Sequence, residues 1–369
     1  MDQSHTLVQR AASALHDYTG ENVTAENLFA VLLGNKTALK GGSGKVIATK
    51  PQDRIFVFYS DHGAPGVIGM PNLPYIFADD FIHVLKTMHA KRAYNEMVIY
   101  LESCESGSFF EGLLPEDLNI YATTAANAYE NSWATYCPNA NTHPPPGYDT
   151  CLGDLYSVSW MENSDSEDLT RETLQQQYMK VKIRTLNNNS IDGSHVMQYG
   201  TKNISKETVS VYQGSVSRKI SKHENFHTMG VINQRDADLY SMWQKYKKLI
   251  PGTQEKKDLL KKIKEITAHR AHLDRSVNMI KRFLLGSGHG PMRDQGSPLV
   301  DDWGCLKYMV RAFETHCGSL TSYGMKHTST FADICNSGVT NKAMDEAAKK
   351  SCRSFEMGQW DPAILGYSS

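Results

Sequence analysis

Ile55-Phe56-Val57-Phe58-Tyr59-Ser60-Asp61-His62-Gly63 and Met97-Val98-Ile99-Tyr100-Leu101-Glu102-Ser103-Cys104-Glu105-Ser106-Gly107 are the two stretches that decide the fold. Each opens with five apolar residues rich in β-branched and aromatic side chains and closes on glycine, the pattern of a buried strand. Between them, residues 77–93 carry Phe77, Phe81, Val84, Leu85 and Met88 at helical spacing. Strand, helix, strand predicts a right-handed parallel crossover, with both strand tips side by side at the carboxyl edge of the sheet. That edge then brings His62 next to Cys104. Either residue alone is commonly structural, a cysteine at a strand end above all. Together they have the composition of a cysteine nucleophile with its base: the imidazole takes the thiol proton and the thiolate attacks.

The chain has 369 residues, enough for two domains, with 40% hydrophobic and 21% charged residues. A net charge of −1 argues against general nucleic-acid binding, and no run of 18 apolar residues predicts a membrane span. There are seven cysteines. Setting Cys104 aside leaves Cys137, Cys151, Cys305, Cys317, Cys335 and Cys352, an even number that suits an oxidising compartment. The sequons at Asn22, Asn35, Asn188 and Asn203 agree with that compartment. The start, Met1-Asp2-Gln3-Ser4-His5-Thr6-Leu7, has no apolar signal core and does not.

Along the chain, Thr24 is positioned to cap a helix over residues 24–33. Gly41-Gly42-Ser43-Gly44 lacks the spacing of a phosphate loop. A further parallel strand is expected over 118–123 and another strand over 152–160. Residues 170–184 read as a helix, with short strands at 194–199 and 208–212. Cys137 and Cys151 bracket a Pro-rich loop, and a bridge between them would be worth about 3 kcal/mol in the chain-entropy account. Composition turns polar near residue 215, with His223 and His227. It becomes helical from Asp236, where dense lysines read as a solvated face. Helices are expected over 239–249, 257–280, 303–317, 329–337 and 341–352. The last four cysteines can pair as 305–335 and 317–352; a zinc site lacks the close Cys pair it needs.

Five strings carry a resemblance. They are Tyr59-Ser60-Asp61-His62-Gly63, Leu101-Glu102-Ser103-Cys104-Glu105-Ser106-Gly107-Ser108 and Asn119-Ile120-Tyr121-Ala122-Thr123-Thr124-Ala125, followed by Cys151-Leu152-Gly153-Asp154-Leu155-Tyr156-Ser157-Val158 and Gly193-Ser194-His195-Val196-Met197-Gln198-Tyr199-Gly200. The chain resembles plant legumains, the vacuolar processing enzymes or asparaginyl endopeptidases, over residues 17–369. The resemblance implies an α/β fold: a caspase-like parallel-sheet core at 17–215, a linker and activation region at 216–250, and a helical, disulfide-stapled prodomain at 251–369. Residues 1–16 form an atypical leader.

It implies Cys104 as nucleophile, His62 as general base, and the N–H groups of Gly63 and Cys104 as oxyanion hole. Glu102 and Asp154 would line the pocket for a substrate Asn, with Asp accepted in acid. Asp61 would be the succinimide candidate, and the disulfides would follow the pairings above. No cofactor and no metal are implied. The partners would be peptide substrates with Asn or Asp and the chain's own prodomain as inhibitor, with a proenzyme dimer as a further association. The compartment would be the vacuole or secretory pathway. The basic prodomain helices would cover the acidic pocket, and autocleavage would follow Asn233 or Asp236. Trp133-Ala134 and Ala64-Pro65 resemble the family's ligating members, which pass the acyl group to an amine instead of water. Family members carry a longer segment before Asp17-Tyr18-Thr19-Gly20, including a core strand. The alternative expectations are an ordinary vacuolar processing protease and, from that missing segment, a truncated, non-catalytic product.

Overall fold

The computed structural model describes residues 16–138, 144–214, 230–288 and 290–354. The leader through residue 15, the polar stretch 215–229 with His223 and His227, and the end of the prodomain after 354 lie outside the described residues.

The chain enters through helix α1, Ala25–Leu32, whose first turn is capped by Thr24 accepting from the Asn27 N–H at 3.1 Å. Strand β1, Arg54–Ser60, follows. Beyond it a small antiparallel sheet is built from β2, Gly63–Ala64, β3, Val67–Ile68, and β4, Ile76–Phe77. Helix α2, Ala78–Ala90, then leads to β5, Glu96–Glu102, which pairs with β1 in parallel register from Arg54↔Glu96 to Ser60↔Glu102. The strand–helix–strand crossover is therefore present. Strand β6, Ile120–Thr124, adds in parallel to β5.

Period-two alternation divides β5 between two cores. Met97, Ile99 and Leu101 pack with Phe81, Leu85 and Met88 of α2 on one face. Val98 and Tyr100 pack on the other with Tyr156, Trp160, Leu174 and Val181.

A third small sheet holds β7, Trp133–Thr135, and β8, Gly153–Asp154, tied by the disulfide Cys137–Cys151. Here the structure corrects the sequence reading. The strand expected over 152–160 stops at Asp154, and the chain turns into helix α3, Leu155–Ser166. Leu155, Tyr156, Ser159 and Trp160 are buried, a spacing of one and four that lays a helical stripe on the sheet face. Helix α4, Leu174–Thr185, begins later than expected because Thr173 and Gln176 form a capping box. Strand β9, Met197–Gly200, closes the main sheet antiparallel to β6, giving the order β1-β5-β6-β9. The second strand, expected over 208–212, is also corrected. Only Thr208 makes a bridge, to Thr173, and Ser210–Gln213 is a helical turn.

Strand β10, Ile232–Asn233, pairs antiparallel with β7. It leads into α5, Ala237–Lys248, and the long α6, Gln254–Leu285. Helices α7, Trp303–Cys317, α8, Thr328–Asn336, and α9, Asn341–Ser351, complete a helical unit stapled by Cys305–Cys335 and Cys317–Cys352. The core of that unit takes in Ala64, Val67, Tyr75 and Phe77 from the small β2-β3-β4 sheet and the residues leading into it. Lys307 seals the same contact by reaching Asp79 and Asp80, each at 2.7 Å.

Candidate active site

The two strands that end together set the site. After the last ladder pair, Ser60↔Glu102, the chains diverge, and the Asp61 N–H still reaches the Glu102 carbonyl at 3.2 Å. His62 and Cys104 each stand two residues beyond their strand. Gly63 lies against the second tip so closely that a Cβ there would come within 2.5 Å of the Cys104 carbonyl oxygen. Only glycine fits that approach. Asp61 turns its carboxylate onto the His62 N–H at 2.6 Å, and burial raises its pKa.

Cys104 is the free thiol among the described residues and is fully buried. Its sulfur receives the Ser132 N–H at 3.3 Å and lies 3.6 Å from the Ser132 hydroxyl. Burial pushes the thiol up to about 11. Arg235 and Ser132 pull downward and Glu105 upward. The thiol in this state is protonated.

His62 and Cys104 meet through a third group. The amide oxygen of Gln234 lies 2.7 Å from His62 Nδ1 and 3.8 Å from Cys104 Sγ. An amide oxygen only accepts, so Nδ1–H and S–H both donate to it. Gln234 arrives on the strap formed by β10, and its own N–H donates to the Ser132 carbonyl at 3.2 Å. The next residue, Arg235, is 7% exposed. Its guanidinium meets the Glu105 carboxylate at 2.5 Å and the Gly63 carbonyl at 2.6 Å, and it also donates to Asn131. From α6, Arg270 holds the Arg235 carbonyl at 2.9 Å, Asp236 at 2.6 Å and Asp238 at 2.9 Å.

Beside Cys104 sit Glu102 and Asp154. Glu102 is 1% exposed, and its Oε2 accepts from the Ser157 N–H at 2.9 Å and hydroxyl at 2.8 Å. Its Oε1 is buried with no hydrogen-bond partner. Burial, then Asp154, raises the Glu102 pKa well above the carboxylate range; burial pushes Asp154 up to about 7. Two carboxyl groups in one apolar setting cannot both ionise freely, so the pair retains a proton.

The structure thus brings His62, Gly63, Cys104, Glu102 and Asp154 into one region. Trp133 and Ala134 lie on β7, where Ala134 is registered between Asp154 and Ile232 and Trp133 faces Asn233. Ala64 is buried under the helical unit, and the Pro65 carbonyl accepts from the Thr328 hydroxyl at 2.9 Å. The autocleavage candidates sit apart from the sulfur: Asn233 turns its side chain onto the Arg235 N–H and Asp236 pairs with Arg270. Asn35, Asn188 and Asn203 are exposed, and Asn22 is half-buried. The basic helices expected over the acidic pocket reach it through the strap, where Arg270 of α6 holds the Arg235 carbonyl, Asp236 and Asp238. The cation that enters the site is Arg235, and its carboxylate is Glu105.

Sequence reasoning missed Glu105, Ser132, Gln234 and Arg235. Gln234 contacts residues 130 and 172 positions away, from a polar stretch with no periodic signal.

With that geometry in place, comparison with known proteins adds the following. The Peptidase C13 family profile matches residues 3–215, starting ahead of Asp17, and the legumain prodomain profile matches 261–352. A vacuolar-processing enzyme of Ricinus communis is 55% identical over 363 residues, covering 96% of this chain and 73% of that protein. One of Glycine max is 56% identical with the same coverage. A legumain of Canavalia ensiformis is 55% identical, covering 96% of this chain and 76% of that protein.

Proposed function

Because the chain belongs to the Peptidase C13 family, with a legumain prodomain behind its catalytic core, we propose that it is a cysteine endopeptidase that cuts after Asn. Cys104 forms a thioester with the substrate acyl group and His62 takes and returns the proton. The N–H groups of Gly63 and Cys104 receive the developing oxyanion. Asp61, packed under the His62 N–H, is the position where a succinimide would form.

The observation that carries the specificity is the unpartnered Oε1 of Glu102, buried beside Asp154. A substrate carboxamide brings two N–H donors, one for the bare Glu102 Oε1 and one for the neighbouring Asp154. A substrate Asp brings a charge of the same sign. It enters only when acid supplies protons, below the value near 7 to which Asp154 is raised. The test is a set of peptides differing only in Asn, Asp or Gln before the scissile bond, offered to the acid-treated full chain from pH 4 to 7. Asn should be cut throughout and Asp only toward the acid end, and Cys104→Ala should lose several orders of magnitude with either. Equal cutting of Asp and Asn at pH 7 would overturn the pocket assignment.

The prodomain acts as its own inhibitor. Gln234 covers the sulfur, Arg235 anchors the strap, and acid processing after Asn233 or Asp236 would release it. The names of the relatives and three disulfides support a secretory or vacuolar setting, with N-glycans on the exposed sequons. Association of the zymogen into dimers belongs to the same reading. A ligase outcome is favoured by one observation: the Ala134 methyl is 2% exposed, on the strand shared by Asp154 and the strap. Trp133 and Ala134 on that wall, and Ala64 and Pro65 on the opposite side, would then bias the thioester toward an incoming amine.

A further inference from the structure

Arg235 shows what the cleft selects one residue beyond the nucleophile. Gln234 lies over the reactive pair: its N–H bonds the Ser132 carbonyl and its side chain lies on His62 and Cys104, so a peptide following the path of the strap would have its scissile bond after this residue. Arg235 is the next residue. Its guanidinium enters a cradle in which each bonded partner is an acceptor. Glu105 offers both carboxylate oxygens, at 2.5 Å and 3.2 Å, Gly63 offers its carbonyl at 2.6 Å, and Asn131 offers its amide oxygen. Glu105 is 8% exposed. Its backbone is left-handed, φ 46°, and is pinned by its N–H on the Glu130 carbonyl at 2.7 Å. The carboxylate is therefore held in place. When the strap leaves, a buried carboxylate and a carbonyl remain without the cation that satisfied them, a situation that burial makes costly.

We propose that Glu105, the Gly63 carbonyl and the Asn131 amide oxygen form a cation-selecting subsite for the residue that follows the scissile bond, fitted to arginine. The inference rests on the peptidase reading of Cys104 and adds the substrate class: peptides with Asn followed by a basic residue. A guanidinium fills the cradle as a planar fork and bonds two partners at once, which an ammonium cannot match. In amine transfer the same cradle would receive the first side chain of the incoming peptide. Arg235 is then both latch and mimic, a tethered residue of the kind the subsite accepts.

Two measurements test this. The first uses the acid-treated full chain and peptides with Asn followed by Arg, citrulline or Gly. Citrulline keeps the shape of arginine and removes the charge. The Arg peptide should exceed the citrulline peptide about tenfold in kcat/KM, and in Glu105→Gln that ratio should fall toward one. Equal use of Arg and citrulline by the parent chain, or a ratio that survives Glu105→Gln, overturns the subsite. Failure to cut the Gly peptide as well would instead count against the peptidase reading, and the second measurement then decides the cradle by itself. In the untreated full chain, Arg235→Ala empties the cradle. Methylguanidinium at about 10 mM should raise the melting temperature of that variant, while methylurea should not. The parent chain, whose cradle is occupied, should show no such rise. No difference between the two additives in Arg235→Ala overturns the proposal.

Discussion

Glu102 and Asp154 beside Cys104, and His269 and His327 in the helical unit, are all ionisable groups taken from water, yet acid acts on them in opposite directions. Burial raises both carboxyl groups, Asp154 from 3.8 to about 7. The folded pocket therefore holds more protons than the unfolded chain between those values, and it gains stability as pH falls from about 7 toward 4. Burial lowers both imidazoles from 6.5 to about 4. The folded helical unit holds fewer protons than the unfolded chain in that window, so it loses stability as pH falls from 6.5 toward 4. Asp274 acts in the same direction only below its ordinary value of 3.8, outside that window. Burial works upward on it, but hydrogen bonds from Lys326, Tyr323 and His327 outweigh that and keep its carboxylate low. The same fall in pH thus favours the carboxyl pair and loosens the helical unit.

The comparison breaks most visibly at the strap that joins the two regions. If Gln234 keeps Cys104 out of water, then Gln234→Gly should let the thiol return from about 11 toward 9.0. Two pKa units correspond to about 100-fold more thiolate at neutral pH. Iodoacetamide should label Cys104 of the variant up to about 100-fold faster than the parent at pH 7, with the rate profile moved to lower pH. Unchanged labelling would mean that burial of the sulfur comes from the core alone.

A smaller effect should separate the imidazoles from the rest of the cover. His327 faces the Asp274 carboxylate at 2.8 Å, with Lys326 on that same carboxylate at 3.0 Å and the charge of Arg235 nearby. His327→Gln keeps a polar side chain and removes the titration. Each pH unit below 6.5 favours the open parent by a factor approaching ten at this site, until the folded value near 4 is reached. At pH 5 the variant should therefore self-process up to about 30-fold more slowly, while at pH 7 the two should be alike. Equal rates at pH 5 would move the acid sensitivity to His269.

Local chemistry made much of the catalytic half legible. Five apolar residues ending in His or Cys already contain the strand, its end and its reactive tip, and the crossover rule places the two tips together. Residues 152–160 failed because Leu155, Tyr156 and Trp160 are apolar at both strand and helix spacings, and the choice was made by the sheet face they cover. Gln234 and Arg235 were illegible for another reason. Nothing within ten residues of them indicates a catalytic role, and their partners Gly63, Glu105 and Ser132 come from three separate segments of the chain. Interactions at that sequence distance exist only once the fold has formed.

The smallest expected effect lies at Ala134, where cover and substrate use the same strand. Ala134 pairs with Asp154 on one side and with Ile232 of the strap on the other. A peptide replacing the strap would lie along this backbone, its acyl carbon on Cys104 and its departed half beyond His62. Water and an incoming amine then compete for one thioester, and the ratio depends on how firmly the strand wall holds the peptide and closes the path of water. The Ala134 methyl is buried, 2% exposed, so it is part of that wall. Glycine in its place removes the methyl and loosens the backbone by roughly 0.5–1 kcal/mol relative to alanine in a strand. If that difference reaches the competing barriers, the product ratio shifts about two- to fivefold, since 1.4 kcal/mol is tenfold. Ala134→Gly should therefore raise the share of linear over cyclic product from a peptide ending in Asn-His-Val, near neutral pH, with the acid-treated full chain. Ala64→Gly, on the opposite side of His62, should act in the same direction. A mainly linear product from the parent, unchanged in Ala134→Gly, would leave hydrolysis as the reaction of this cleft and make the buried methyl a packing detail shared with the strap.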